Sequence, residues 1–480
     1  MKKQNIISGI KQYRSQVDTN FHMPGHKGKN EFLGQLIEDI SSYDLTETIG
    51  TDNLHYPAGF LKDAMDYISK VYGSKKSYMV VNGTSCGIIS SIMACTKPGD
   101  KILVQRDCHK SVYNASILGD LELVYLYPEF NKKYGLNFSI SLEKLDQQLS
   151  YKPEIKMVVL TYPTFYGICF DIKKAAEIVH KHGKILMIDE AHGSHLKFSE
   201  DLPLPAESSG ADIVTQSIHK TLPCLSQGSL LHVCSERVKV DNIEAMLRML
   251  QTSSPSYVLM ASIENAVHWM ESSGKERLKR NIEIFKERTL ELRKIGINVL
   301  EENFLIGEGL YSFDATRAVI SMSEIGITGT KLQDILRYKY RIQMEFADLQ
   351  YTVGYITATD EPEDIHRLFD AVKEIYLKES KNKEKGEIIQ IEPFPSLQHE
   401  RKMRSAFYAE NIFVKIDESI GRTAAGFIIP YPPGIPLVCP GEIIDQDTVD
   451  YVKVMLENGI NVNGVNENNL VRVVKWKEDL

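Results

Sequence analysis

The sequence predicts an α/β protein built around a mostly parallel sheet. Between about residues 80 and 235, short runs rich in β-branched residues alternate with helix-like segments, and turn-forming residues separate them. This alternation is typical of βαβ units, whose parallel strands are buried on both faces. The composition agrees, because 43% of the residues are hydrophobic and 25% are charged. This ordinary globular balance excludes a mostly disordered or collagen-like chain.

Six strand-like runs and three helix-like segments make up this pattern. The strands are predicted at Lys101–Asp107, Leu121–Tyr127, Met157–Thr161, Lys184–Asp189, Asp212–Gln216 and Ser229–Cys234. The helices are predicted at Cys86–Thr96, Lys110–Leu118 and Ile172–His182. Ligands of parallel α/β sheets bind outside the carboxyl ends of the strands. Polar residues that directly follow these runs are therefore the first candidates for function.

The chain around this pattern divides into an arm and two further domains. We expect an N-terminal arm at residues 1–60 and a large domain at 61–295, which ends in one or two long charged helices at Ser262–Ile295. Residues 296–377 predict a smaller α/β domain, with strands and a helix at Ala318–Met322, Tyr355–Ala358 and Lys331–Tyr338. A charge run predicts a solvated linker at 378–388. Residues 389–480 then form a C-terminal α+β domain.

Charge and cysteine usage exclude several classes of partner and compartment. With 56 basic and 64 acidic residues the net charge is −8, which argues against a nucleic-acid partner. No apolar run reaches 18 residues and no signal peptide is evident, so neither a membrane partner nor secretion is expected. The seven scattered cysteines lack C-x-x-C spacing. We therefore expect reduced thiols in a cytoplasmic protein.

Three polar clusters follow strands of the predicted large domain. Lys220 ends the segment Ser217–Lys220, and Asp189 ends an apolar strand, where an acid is costly unless a cation meets it. Gly83-Thr84-Ser85 stands between a strand-like segment and a helix, so its hydroxyl and amide groups suit an anion. Pyridoxal phosphate requires these three features: a lysine for a Schiff base, a carboxylate for the ring nitrogen and a phosphate cradle.

Each cluster also has a simpler interpretation. Gly-Thr-Ser before a helix is usually a capped helix. The spacing of Asp189, His192 and His195 could hold a metal, but Asp189 has a better-supported partner in the cofactor. His22 and His26 are four residues apart, yet Pro24 and the glycine after it break a helix there. We therefore predict no metal site and place this pair in a loop near the active site of a dimer.

Eight blocks of sequence occur in an order that matches a known family. They are Phe21–Gly28, Asp44–Glu47 with Gly50, Asp52 and Leu54, Gly83–Ser85, Arg106–Ser111, Asp189–Gly193, Ser217–Lys220, Tyr431–Pro436 and Pro440–Glu442. With these blocks the chain resembles the Orn/Lys/Arg decarboxylases over nearly its whole length. These are pyridoxal-phosphate enzymes of the aspartate-aminotransferase fold, fold type I. The resemblance therefore implies a fold type I large domain.

The resemblance implies roles for particular residues. Lys220 forms the Schiff base, Asp189 pairs with the pyridinium nitrogen, and His109 stacks on the ring. The remaining cofactor contacts are assigned to Gly83, Thr84, Ser85, Ala191, His192, Ser217 and His219. A hydroxyl from the partner subunit, at Thr252 or Ser253, completes the phosphate cradle. Either Lys220 or His219 returns a proton to Cα after CO₂ leaves, and the sequence does not decide between them.

The resemblance also implies the substrate class and the assembly. The expected reaction is decarboxylation of a basic amino acid, with arginine preferred over lysine or ornithine because compact family members often resemble arginine decarboxylases. Only 20 residues precede Phe21, so we expect a dimer with shared sites or a dimer of dimers. Glu442 is the first candidate for the acid that meets the distal cation. Weaker candidates are Glu47, Asp52, Asp44, Glu345 and Asp348.

Two alternatives to decarboxylation remain at this stage. The first is transamination on the same fold, for which Arg317 or Arg337 in the small domain could hold the substrate α-carboxylate. The second is a protein that carries the cofactor without turnover. Retention of Lys220, Asp189 and His109 together argues against the second alternative.

Overall fold

The computed structural model describes residues 5–306, 309–381, 395–431 and 434–476. Its α-helices are α1 (Ile6–Arg14), α2 (Ile40–Tyr43), α3 (Phe60–Tyr72), α4 (Gly83–Cys95), α5 (Lys110–Gly119), α6 (Leu142–Tyr151), α7 (Ile172–Lys181), α8 (Ile218–Thr221), α9 (Val240–Leu250), α10 (Tyr257–Trp269), α11 (Lys275–Lys294), α12 (Glu302–Leu305), α13 (Gly329–Lys339), α14 (Pro362–Glu379), α15 (Met403–Phe407) and α16 (Gln446–Glu457). A single π-helical turn, Met270–Gly274, joins α10 to α11, so the predicted long helical stretch is confirmed as two helices in series.

The strands fall into one large sheet and several small ones. They are β1 (Thr19–Phe21), β2 (Lys76–Val80), β3 (Lys101–Gln105), β4 (Glu122–Leu126), β5 (Pro128–Asn131), β6 (Leu136–Ile140), β7 (Ile155–Thr161), β8 (Ile168–Cys169), β9 (Ile185–Asp189), β10 (Ile213–Gln216), β11 (Ser229–Val233), β12 (Asn298–Val299), β13 (Ser312–Phe313), β14 (Arg317–Ser321), β15 (Ile342–Met344), β16 (Phe346–Ala347), β17 (Tyr351–Tyr355), β18 (Asn411–Lys415), β19 (Ile429–Tyr431), β20 (Asn461–Asn463) and β21 (Leu470–Val474).

The central sheet has seven strands in the order β2-β11-β10-β9-β7-β3-β4. Neighbours from β10 to β4 run parallel, whereas β11 is antiparallel to both β10 and β2. The mostly parallel α/β prediction is confirmed, and the predicted strands and helices of this region occur as β3, β4, β7, β9, β10, β11, α4, α5 and α7. Strands β7 and β10 are buried almost throughout because helices cover both faces of the sheet.

Helix α7 illustrates how sequence determines an element of this layer. Asp171 caps its first turn by accepting a hydrogen bond from the Lys174 amide at 3.0 Å. Ala175, Ala176 and Val179 form one buried face that packs on the sheet. The small side chains of this face allow the helix to lie close to the strands beneath it.

A second unit follows the central layer. Strands β12, β14, β17 and β16 form an antiparallel sheet, and α11, α13 and α14 contribute to its core. The strand predicted at Tyr355–Ala358 ends at Tyr355 instead, because Thr357 turns the chain by donating its amide to Asp360 at 2.6 Å. Strand β1 of the N-terminal arm pairs in parallel with β15, so part of the arm joins this unit.

The C-terminal unit has its own hydrophobic cluster, which includes Val449, Val452, Val471 and Val473. Helix α14 continues to Glu379, past the predicted start of the linker, and linker residues 382–388 lie outside the described part of the chain. Pro432 and Pro433 of the Pro-rich block also lie outside it. No helix within the described ranges is long and apolar enough to cross a membrane.

Candidate active site

Lys220 lies in the short helix α8, directly after β10, at the carboxyl edge of the central sheet. Its Nζ is 2.9 Å from His192 Nε2 and 5.9 Å from the centroid of the Phe165 ring. Burial lowers the pKa of this amine to about 8, although the carboxylates of Asp189 and Glu345 act in the opposite direction. A lysine in this state is partly neutral near pH 7 and can act as a nucleophile.

Asp189 ends the neighbouring strand β9 and is 3% exposed. The Ala191 amide donates to its Oδ1 at 3.1 Å, and within the described chain no ion pair reaches the carboxylate. Burial raises the pKa of Asp189 to about 6, while the charge of Lys220 opposes the shift. A buried acid with so little compensation favours a cationic group, such as a protonated ring nitrogen, beside it.

The Gly83-Thr84-Ser85 segment opens the 13-residue helix α4. Gly83 adopts a φ of +75°, which permits the turn out of the preceding strand. No side-chain bond from Asn82 caps the first amides, and the Ser85 side chain is exposed. Thr84 Oγ1 lies within hydrogen-bond distance of two serine hydroxyls, Ser217 and Ser229. This concentration of hydroxyl and amide groups can hold an anion.

His109 and His219 are both neutral rings in this pocket. His109 caps α5, and its Nδ1 is 2.9 Å from the Ser111 hydroxyl. Burial and the charge of Lys220 lower the pKa of His109 to about 3. His219 Nδ1 donates to the Gly228 carbonyl at 3.0 Å, and burial lowers the pKa of His219 to about 4. A neutral His109 suits stacking, and a neutral His219 is a weak proton donor.

His192 links Lys220 to the small unit. Its Nε2 faces Lys220, its Nδ1 is 3.1 Å from the Tyr355 hydroxyl, and its ring centroid is 4.4 Å from that of Phe165. Burial holds the pKa of His192 well below its usual range, so the ring is neutral. When Lys220 donates to Nε2, Nδ1 carries the proton and donates to Tyr355. The position of the lysine amine therefore depends on strand β17.

Three residues around Lys220 were missed or ranked low by sequence reasoning. They are Phe165, Tyr355 and Glu345, which accepts a hydrogen bond from the Met23 amide at 2.7 Å. Phe165 follows the end of β7 by four residues, so its place after a parallel strand was a usable signal. Tyr355 and Glu345 come from the small unit, and no sequence spacing relates them to Lys220.

The Phe21–Gly28 block lies against the lysine segment of the same chain. The Gly25 amide donates to the His219 carbonyl at 2.7 Å. A Cβ at Gly25 would stand 2.3 Å from the Leu222 carbonyl oxygen, so only glycine fits this approach. His22 is 2.9 Å from the Tyr13 hydroxyl rather than paired with His26.

Arg317 is the small-unit arginine nearest to this pocket, but it is fully buried and occupied. Its guanidinium pairs with Asp314 at 3.2 Å and donates to the His192 carbonyl. His195 also pairs with Asp314, at 3.1 Å, which directs it away from Asp189. Within the described ranges no group of three or more potential ligands could hold a metal ion.

The loop with Thr252 and Ser253 lies beside the cradle of its own chain. The Thr252 amide donates to Asn82 Oδ1 at 3.2 Å, and the Thr252 carbonyl is 2.9 Å from His55 Nε2. Both Thr252 and Ser253 are exposed in the single chain. A contribution of either hydroxyl to the cradle of a partner remains a prediction.

The structure places Glu442, the first candidate for substrate recognition, in an ion pair with Arg106, so that role stays a prediction. Its carboxylate is fully buried, pairs with Arg106 at 3.2 Å and accepts the Cys439 amide at 2.7 Å. None of these contacts belongs to the Lys220 pocket. The family position therefore holds a structural ion pair in this chain, and a substrate cation would have to displace Arg106.

Asp52 is also a structural acid, contrary to its predicted substrate role. It is 8% exposed and accepts backbone hydrogen bonds from Asn53, Ala58, Gly59 and Leu61 at 2.8–3.0 Å. Four backbone donors saturate the carboxylate and fix the start of α3. Glu47 is half-buried, and no contact places it at Lys220.

The residues present fit pyridoxal phosphate. The uncapped start of α4 and the hydroxyls beside it suit the phosphate, and Asp189 suits a protonated ring nitrogen. The amine of Lys220, with its lowered pKa, suits an aldehyde. The sheet and this pair at its carboxyl edge define the class of protein as fold type I, the pyridoxal-phosphate-dependent fold.

Comparisons with known proteins narrow this class. The sequence model "Orn/Lys/Arg decarboxylase, major domain" matches residues 5–317, and the C-terminal domain model of the same family matches 384–468. The chain is 33% identical to the arginine decarboxylase of Bacillus subtilis (strain 168), over 98% of this chain and 97% of that protein. It is 31% identical to the arginine decarboxylase of Bacillus anthracis, over 98% and 97%.

Solved structures agree on the fold. The lysine decarboxylase LdcF of Francisella novicida superposes with a TM-score of 0.77 at 22% identity and covers 97% of this chain and 80% of that one. The chain belongs to the Orn/Lys/Arg decarboxylase family. It is thus an amino-acid carboxy-lyase, and pyridoxal phosphate is the cofactor expected for the family.

Proposed function

We propose that the protein decarboxylates L-arginine to agmatine and CO₂, with pyridoxal phosphate held at the Lys220 pocket. The observation that carries this proposal is the pair of half-buried Lys220 and buried Asp189 at adjacent strand ends, each with a shifted pKa. The similarity to two Bacillus arginine decarboxylases supports arginine as the substrate. Lysine and ornithine remain the alternatives within the same family.

The cofactor would be held by residues at three points of the pocket. Thr84, Ser85 and Ser217 would bind its phosphate, Asp189 its ring nitrogen, and Lys220 its aldehyde. When bound, pyridoxal phosphate supplies an electron sink for the bond that breaks at Cα. His109, neutral and ordered at the start of α5, would contact the ring face.

The protein side chains then divide the remaining tasks. The ionised Asp189 would keep a proton on the ring nitrogen, which would favour charge withdrawal from Cα. Lys220 Nζ is a better proton donor to Cα than His219, because its pKa of about 8 lies near neutral pH and that of His219 is about 4. His192 orients the amine through its 2.9 Å contact.

Transamination finds no support at Arg317, since Asp314 and the His192 carbonyl occupy its guanidinium. Arg337 donates to the Gln16 carbonyl at 2.6 Å on the outer side of the small unit. Neither arginine is thus presented as a free partner for a substrate α-carboxylate.

We also propose a homodimer with shared sites. Large apolar side chains of the N-terminal arm are exposed in the single chain, among them Ile6, Ile7, Leu45 and Ile49. Exposed apolar surface of this kind marks an interaction site. Sedimentation equilibrium of the cofactor-loaded protein tests this; a fully active monomer would contradict it.

The activity is tested by incubation of the cofactor-loaded protein with L-arginine, L-lysine and L-ornithine in turn. CO₂ release and the amine product are both measured, together with any keto acid. We expect agmatine from arginine at the highest kcat/KM. No amine from any of the three substrates would overturn the proposal, and keto acid without amine would favour transamination.

A further inference from the structure

A cavity of about 110 Å³ lies where the large, small and C-terminal units meet. Its wall includes Asp107 and Thr161 at the ends of β3 and β7, Asp348 from the small unit and Tyr451 from α16. The cavity therefore stands at the carboxyl edge of the central sheet, where this fold class binds its ligands. Its volume is enough for the end of an aliphatic side chain.

Two carboxylates face this cavity without a cation, the buried Asp107 and the half-buried Asp348. Asp107 accepts hydrogen bonds from Gln105 Nε2 at 2.7 Å and Asn137 Nδ2 at 3.2 Å. Asp348 accepts the Gln350 and Tyr351 amides at 2.7 and 2.6 Å and the Tyr166 hydroxyl at 2.5 Å. All of these donors are neutral, and within the described chain neither carboxylate has an ion pair within 4 Å.

The charge balance at the two acids differs from that at Glu442. Burial raises the pKa of both Asp107 and Asp348. Arg106 opposes the shift at Asp107, but its guanidinium is engaged by Glu442 at 3.2 Å. A cation in the cavity would thus stabilise the ionised form of two acids that the protein alone leaves uncompensated.

Thr161 adds to the cavity wall a hydroxyl group that has no hydrogen-bond partner. Its side chain is 5% exposed, and Oγ1 has no hydrogen-bond partner although the residue lines the cavity. Buried hydroxyls are rarely left in this state, so a ligand atom or water is expected beside it. Thr161 is also the register neighbour of Asp189, which places the cavity next to the reactive pocket.

One aromatic ring stands between the cavity and Lys220. Phe165 lines the cavity, and its centroid is 5.9 Å from Lys220 Nζ. The aromatic faces of Phe165 and Tyr166 can attract a cation, and the apolar remainder of the wall suits methylene groups. Phe165 therefore borders both the cavity and the surroundings of Lys220.

We propose that this cavity binds the distal cation of the substrate and that Asp107 and Asp348 are the carboxylates that recognise it. The ligand class is an L-amino acid whose aliphatic side chain ends in a guanidinium or an ammonium group. This inference rests on the decarboxylase function proposed above. It explains discrimination against neutral side chains, because a neutral end group leaves both acids uncompensated.

The test compares Asp107→Asn and Asp348→Asn with Asp445→Asn in the cofactor-loaded enzyme. Asp445 accepts one backbone hydrogen bond, from Thr448 at 2.8 Å, at the start of α16 and does not line the cavity. Asparagine can retain the backbone bonds at positions 348 and 445 through Oδ1, and at position 107 it can retain one of the two side-chain bonds. We expect KM for arginine to rise about 10–100-fold in the first two, as loss of a charged partner does. We expect kcat to change much less, and Asp445→Asn to match the unchanged enzyme.

A second measurement needs no variant. L-Citrulline has the shape of arginine but a neutral end group, so its inhibition constant for the unchanged enzyme should exceed the KM of arginine at least about tenfold. Equal affinity of citrulline and arginine would refute the subsite. An unchanged KM in both folded aspartate variants, or inhibition by agmatine that is not competitive with arginine, would also refute it.

Failure of the inference is distinguishable from failure of the proposed function. If the unchanged enzyme releases no CO₂ from any basic amino acid, the proposed function fails. Calorimetric binding of agmatine to the cofactor-loaded protein then tests the cavity alone. Weaker binding in Asp107→Asn and Asp348→Asn, but not in Asp445→Asn, supports the subsite, and equal binding in all four proteins overturns it.

Discussion

Two pairs of oppositely charged residues lie close to the same edge of the central sheet. They differ in how completely each carboxylate is neutralised by its basic partner. Arg106 follows β3 and pairs with Glu442, while Lys220 follows β10 and acts on Asp189 without an ion pair within 4 Å. Arg106 also donates to the Pro436 and Leu437 carbonyls at 2.7 and 2.9 Å. Arg106 and Glu442 thus form a direct ion pair, and Lys220 and Asp189 do not.

This difference separates a structural pair from a reactive one. Glu442 joins the C-terminal unit to the large domain through Arg106, so the charge of its carboxylate is compensated within the protein. Asp189 and Lys220 retain shifted pKa values because burial acts on each without a matching partner. Unfavourable burial that the protein does not relieve is expected where a ligand supplies the missing charge.

The largest expected effect comes from the reactive pair. Lys220→Ala removes the amine that we propose binds the cofactor and returns a proton to Cα. We expect turnover to fall by more than about 10³-fold, because covalent and proton-transfer catalysis at this atom are both lost. Steady-state assays measure this, with Lys62→Ala, a surface lysine paired with Asp66, as the control. Activity of Lys220→Ala equal to that of Lys62→Ala would contradict the proposed catalytic role of Lys220.

Glu442→Gln is the matching change in the structural pair. It leaves the buried Arg106 without its counter-charge, which costs about 3–5 kcal/mol in such pairs. Urea unfolding should report this loss, while KM for arginine in the folded fraction stays unchanged. Asp445→Asn in the same unit is the control for both measurements. A raised KM with unaltered stability would return Glu442 to substrate recognition.

Asp189→Asn should lower the activity without loss of stability, the opposite of the effect expected for Glu442→Gln. The change removes the charge that would hold a proton on the ring nitrogen of the proposed cofactor, and kcat should fall about 10²–10³-fold. Folding raises the pKa of Asp189 from 3.8 to about 6. Ionisation of this carboxyl therefore lowers the free energy of unfolding of the protein as the pH rises through that window. The cofactor-free variant should therefore melt at or above the temperature of the unchanged protein at pH 7.5. A variant that melts lower and keeps its kcat would contradict both statements.

The sequence predicted the elements of this comparison better than their partners. Alternating apolar runs located the central strands because both faces of a parallel sheet are buried, and the residues after those strands gave Lys220 and Asp189. Local pattern could not show that Glu442 meets Arg106 across 336 positions. It also could not raise Asp348 above the other candidate acids or place Tyr355 beside His192, since tertiary packing alone creates those contacts.

The strand at Tyr355–Ala358 shows the same limit on a smaller scale. Its apolar residues continue past the last paired position, and a turn closed by Asp360 ends the strand at Tyr355. That position brings the Tyr355 hydroxyl to His192. An error of a few residues in a boundary therefore hid a contact of the candidate site.

The smallest expected effect concerns the proton on Lys220. Its pKa of about 8 means that only about a tenth of the amine is neutral at pH 7, and only the neutral form attacks an aldehyde. The rate of cofactor uptake by the cofactor-free protein should therefore rise with pH to a plateau above 8. Asp189 raises the lysine pKa and is itself ionised above about 6, so Asp189→Asn should shift the midpoint to lower pH. Stopped-flow absorbance measures the midpoint, and Glu442→Gln should leave it in place because that acid acts on Arg106 instead. An equal shift in both variants would mean that the two pairs are not electrostatically separate.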